Sequence, residues 1–67
     1  MKLANLIMNE AVTDKTEITV SVMLVALGGE KVVARGHWYE DNVLEWHDSE
    51  ILSIEWDLVT DKVSVLI

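Results

Sequence analysis

The chain has 67 residues, so it holds one domain, and a domain of this size buries only roughly 60% of the surface its unfolded chain exposes. Apolar residues make up 51% of it and three residues are Trp, which argues against disorder; there is no Cys, which excludes a disulfide framework, a zinc–thiolate site and a cysteine nucleophile. Twelve Asp and Glu against five Lys and Arg give a net charge of −7, which disfavours direct binding to nucleic acid or anionic membrane and favours a basic partner surface.

In chain order, Leu3, Leu6 and Ile7 recur at helical spacing and predict a short amphipathic helix over residues 3–10, closed by a turn at Thr13, Asp14 and Lys15. The start carries one Lys and an apolar stretch that Asn5 interrupts, unlike a secretory signal, and the run Met23 to Leu27 is too short to span a bilayer. A soluble, cytoplasmic protein is expected. From Thr16 to Leu27, Ile18, Val20, Val22 and Leu24 alternate with Glu17, Thr19, Ser21 and Met23, the period of a strand with one buried face. Gly28 and Gly29 then signal a hairpin, with a second strand from about Lys31 to Trp38 in which Gly36 marks a bulge or the strand's end.

Tyr39 to His47 reads as a short helix with Tyr39, Val43 and Trp46 on one stripe. After a turn at Asp48 and Ser49, Leu52, Ile54, Trp56 and Leu58 alternate with Ile51, Ser53, Glu55 and Asp57 as a third strand over Glu50 to Leu58. A turn at Thr60, Asp61 and Lys62 leads to a last strand whose inward face is Val63, Val65 and Ile67. The order α-β-β-α-β-β predicts an α+β fold: a four-stranded, mainly antiparallel sheet built from two hairpins, with both helices over one face. Trp56 and Tyr39 are expected in the core, and Trp38 or Trp46 as a partly exposed anchor. The open face carries Thr19, Ser21, Glu55 and Ser64, which suit water, and Val25, Leu27 and Leu66, which do not. Those last three are the candidate self-association face and predict a homodimer.

The segments Arg35 to Trp46 and Glu50 to Trp56, with the closing run of alternating Val and Ile, resemble a diffuse class of small acidic proteins encoded by phages and mobile elements. The resemblance covers most of the chain, rests on structural features and brings no catalytic residues. It implies a bacterial, phage or mobile-element origin and, with it, lends weight to an accessory or anti-defence role.

His37 and His47 are the only histidines, and neither sits at a metal-ligand spacing or beside a nucleophile; solvated side chains at the helix ends are expected. Gly28, Gly29, Glu30 and Lys31 lack the pattern of a phosphate loop. No catalytic residue, metal ligand or cofactor site is expected, and the chain is not read as an enzyme. Glu40, Asp41, Glu45, Asp48 and Glu50 crowd the short helix and form a candidate acidic surface for a protein partner with a basic face. Three readings follow: a non-catalytic, self-associating interaction module; as its main alternative, an acidic inhibitor that occupies the basic groove of a host nucleic-acid-binding enzyme; and, third, a small-ligand binding protein or enzyme formed at a dimer interface.

Overall fold

The computed structural model describes residues 1–26 and 28–67. It contains α1 (Leu3–Ile7), β1 (Glu17–Leu24), β2 (Gly29–Gly36), α2 (Asp41–Leu44), β3 (Ser53–Asp57) and β4 (Lys62–Leu66). The strands form one sheet in the order β2-β1-β4-β3. Both hairpin pairs are antiparallel, and the central pair, β1 with β4, is parallel. The fold is the expected α+β arrangement, and the parallel pair follows from the crossover through α2, which returns the second hairpin alongside the first strand of the first.

The register explains the two faces. One row across the sheet reads Ala34, Val20, Val65 and Ile54, and the next reads Gly36, Ile18, Val63 and Trp56. These side chains face the core, where Ile18, Val20 and Val63 are fully buried with Leu3 and Leu6 of α1 and Val43 of α2. The opposite face reads Val32, Ser21, Leu66 and Ser53 in one row and Arg35, Thr19, Ser64 and Glu55 in the next. Strand alternation therefore separates core from open face as the sequence predicts.

Helix α1 is shorter than residues 3–10. The Asn5 carboxamide oxygen accepts the Lys2 N–H at 3.0 Å, which fixes its start. The Asn9 N–H then donates to Leu6 O at 3.0 Å, three residues back instead of four, and the Asn9 side-chain oxygen accepts the Ala11 N–H at 2.9 Å, which turns the chain away from the helix. Its backbone is tied to the segment after α2 by Leu3 N to Ser49 O (3.0 Å) and Ala4 N to His47 O (2.9 Å). The turn before β1 is closed by Thr16, which is fully buried and donates to Asp61 Oδ1 at 2.8 Å. Asp61 itself adopts φ 54°, the left-handed conformation that ends the β3–β4 turn and that Asp tolerates better than most residues. Asp57 opens that turn by accepting the Val59 and Thr60 N–H groups at 3.1 and 3.3 Å.

Two expectations are corrected. Tyr39 is 50% exposed and Trp56 37% exposed, whereas Trp38 and Trp46 are partly buried against the core. Because α2 comprises only Asp41–Leu44, Tyr39 precedes it and stacks on the His37 ring, with centroids 5.5 Å apart, instead of joining a helical stripe. Trp56 lies on the core face, but at the edge strand β3, away from α2, which packs against β2. The second expected strand is also displaced: it begins at Gly29, just after Gly28 with its φ of 67°, and ends at Gly36. The irregularity lies at mid-strand, where the register shifts between Val20 and Ser21 and leaves Val33 as the extra residue of a bulge.

Candidate functional site

The apolar end of the open sheet face is the first candidate. Leu66 and Val32 flank Ser21 in register, and Met23 stands two residues further along β1 on the same face. Met23 is 59% exposed, Val32 47% and Leu66 half-buried. Val25 lies in the turn beyond β1 and is 93% exposed. Leu27, the third residue of the expected self-association face, lies outside the described residues. Met23 and Val32 were missed in the sequence because Met23 falls on the polar phase of β1 and the bulge determines which side Val32 takes. Among the described residues, the adjoining edge of β2 has no neighbouring strand.

The acidic segment is the second candidate, and the structure distributes its members unevenly. Glu40 bends back toward β2: its Oε2 accepts the His37 N–H and lies 2.9 Å from His37 Nδ1. Asp48 Oδ2 is 3.3 Å from His47 Nε2, and Glu50 Oε2 is 3.2 Å from the N-terminal ammonium. Asp41 and Glu45, on α2 and one residue past it, are exposed and have no ion-pair partner among the described residues. So the segment holds two free carboxylates and three that sit within hydrogen-bond or ion-pair reach of a neighbour. Asn42 anchors it to the sheet by donating to Arg35 O at 2.8 Å.

The Glu40 contact is close-built. A methyl group at Gly36 would meet the Glu40 carboxylate, so glycine at the end of β2 leaves room for that side chain. The His37 N–H, then the His37 side chain, hold the Glu40 carboxyl below its ordinary 4.5. Asp57 is likewise held below 3.8, by the Thr60 hydroxyl first and then the Thr60 N–H. A depressed carboxyl binds protons less readily in the folded chain than in the unfolded one. Its stabilisation is thus complete at neutral pH and is lost as pH falls below 4.5 for Glu40 and below 3.8 for Asp57. The melting temperature is expected to drop through this acid range, and the drop should be shallower in a Glu40→Gln, Asp57→Asn double variant. Thermal melts followed by circular dichroism at stepped pH check this; parallel curves for the two proteins would contradict it.

Among the described residues, no grouping of three or more His, Asp and Glu is placed to hold a metal ion. Among the same residues, no helix is long and apolar enough to cross a membrane. A shallow depression lined by Glu55, Trp56, Asp57, Leu58, Lys62 and Ser64 lies along the β3–β4 hairpin, open to solvent, with every polar residue of its lining exposed. No protein-family model, curated protein or solved structure matches this chain.

Proposed function

We propose that the chain is a small, non-catalytic interaction module that pairs with a second copy of itself in the cytoplasm. The carrying observation is the apolar end of the open sheet face, where Met23, Val25 and Val32 are exposed beside Leu66 and next to the unpaired edge of β2. Contiguous exposed apolar groups at the margin of a sheet mark contact surfaces more often than chance. The edge adds backbone donors and acceptors that favour another strand. The resemblance of the Arg35 to Trp46 segment adds a phage or mobile-element origin.

Sedimentation across a micromolar-to-millimolar concentration series tests the reading. The expected result is a mass that rises from one chain to two, and a Val32→Lys variant that shifts the midpoint upward by about tenfold, the effect of losing one apolar anchor. A single chain's mass throughout would overturn it.

A second reading is favoured by the free carboxylates Asp41 and Glu45: an inhibitor that docks against the basic groove of a nucleic-acid-binding enzyme. A tagged pull-down eluted by a salt step distinguishes it. Recovery of such an enzyme, abolished by Asp41→Lys with Glu45→Lys, supports it, whereas recovery unaffected by that charge reversal removes the acidic surface from the mechanism.

A further inference from the structure

Among the described residues the sheet has two free edges, β2 and β3, and their sequences differ in one decisive respect. A second copy pairing antiparallel with the same strand does so about a two-fold axis perpendicular to the sheet. Such an axis sets residues of the same sheet face opposite one another. Strand β3 carries Glu55 and Asp57 and no basic residue, so no register of it with itself forms an opposite-charge pair. Centring it on Glu55 opposes two glutamates, and centring it on Trp56 opposes Glu55 and Asp57.

Strand β2 behaves differently because of its bulge. Glu30 stands opposite Met23 and Arg35 opposite Thr19, both on the open face; Lys31 stands opposite Val22 and Ala34 opposite Val20, both on the core face. In a regular strand, Glu30 and Arg35, an odd number of positions apart, would point to opposite faces. The extra residue Val33 inverts the phase, so the two share a face. The strand then reads the same way from both ends. About an axis between Val32 and Val33, Gly29 meets the partner's Gly36, Glu30 the partner's Arg35, and Lys31 the partner's Ala34, each on a matching face, with Val32 and Val33 at the centre.

We propose that the protein self-associates through this edge, β2 against β2, to form a continuous eight-stranded sheet; the proposal rests on the self-association reading above. Two Glu30–Arg35 pairs, one on each side of the axis, set the register. Both side chains are exposed, and Arg35 lies 4.0 Å from Glu17 of β1 on the open face, a contact at the limit of an ion pair that Arg35 gives up or shares when the partner's Glu30 arrives from the other side of β2. Lys31 meets a small neutral residue and no like charge. Val32 of each copy lies beside the axis on the open face, and the two open faces join side by side into one surface, on which Met23 and Leu66 flank the new seam from the inner strands.

The test is a charge swap. Glu30→Arg sets Arg against the partner's Arg35, and Arg35→Glu sets Glu against the partner's Glu30. Each single variant is expected to weaken the dimer about tenfold, from two cross-strand pairs turned repulsive. The double variant, Glu30→Arg with Arg35→Glu, restores opposite charges and is expected to return the dissociation constant to near its original value. Sedimentation reads these constants, and circular dichroism confirms that each variant folds. Hydrogen exchange at low and high concentration gives an independent readout, with protection gained at the β2 amides and not at β3. A dimer indifferent to the single changes, a double variant as weak as either single, or protection gained at β3 overturns the β2 edge while leaving self-association standing. A monomer at every concentration overturns both.

Discussion

Replacing Leu6 by alanine is expected to remove about half of the protein's stability. Leu6 is 1% exposed and packs in the cluster that joins α1 to Val43 and the core face of the sheet. Truncating a buried leucine costs about 2–5 kcal/mol through lost transfer energy and the cavity left behind. A chain this short has only about 3–10 kcal/mol in total, at roughly 0.05–0.15 kcal/mol per residue. Helix α1 has no independent stability to draw on: one turn and a half of helix does not persist alone in water. It is held by Leu3 and Leu6 and by backbone bonds to Ser49 and His47 and from Ile51 N to Met1 O at 2.8 Å. Loss of Leu6 therefore releases the N-terminal segment and uncovers Val43 with it. Met8, one helical position beyond α1 and 82% exposed, is the control, and its alanine variant should stay within about 0.5 kcal/mol of the parent. Urea titrations followed by circular dichroism separate the two. A Leu6 variant as stable as the Met8 variant would mean that α1 adds nothing to the folded state.

The strands were legible because their burial is one-sided. Ile18, Val20 and Val22 alternate with polar residues in the sequence, and the same alternation sorts Val63 and Val65 from Lys62 and Ser64. Turn chemistry was legible at Gly28, where the structure has φ 67°. The helices were overread, because spacing sees Tyr39 and Val43 as neighbours whether or not the backbone between them is helical. Here the Glu40 carboxylate takes the His37 N–H and the chain enters α2 only at Asp41. The parallel pairing of β1 with β4 was invisible for a different reason: alternation fixes which side of a strand is buried and says nothing about its neighbours. For the candidate site, Val25 and Leu66 were recognisable as apolar residues in polar company. Val32 and Met23 required the register, and the facing of Glu30 and Arg35 required a bulge that no residue type announces.

Ile18→Ala is expected to be as damaging as the loss of Leu6, for a reason rooted in the sheet. Ile18 is fully buried on the central strand, between Gly36 of β2 and Val63 of β4. On one side its neighbour has no side chain to move inward, and on the other Val63 is itself fully buried. The cavity cannot collapse, so the cost should fall in the upper half of the usual range, about 4 kcal/mol. The adjacent Thr19 points to the open face between Arg35 and Ser64, and Thr19→Ala should cost under about 1 kcal/mol, since only β-propensity and a partly exposed contact change. Two neighbouring residues of one strand should thus differ severalfold, with denaturant midpoints as the readout. The position also has a kinetic signature. β1 meets β4 through pairs such as Ile18 with Val63, contacts distant in sequence whose closure is slow. If that central pairing is already formed at the folding barrier, Ile18→Ala slows refolding in proportion to its loss of stability. If hairpin β1–β2 forms first and β4 docks afterwards, the loss appears mainly as faster unfolding. The parallel pair at the centre of the sheet predicts the first outcome, because without it the two hairpins share no strand neighbour and neither has a complete core face.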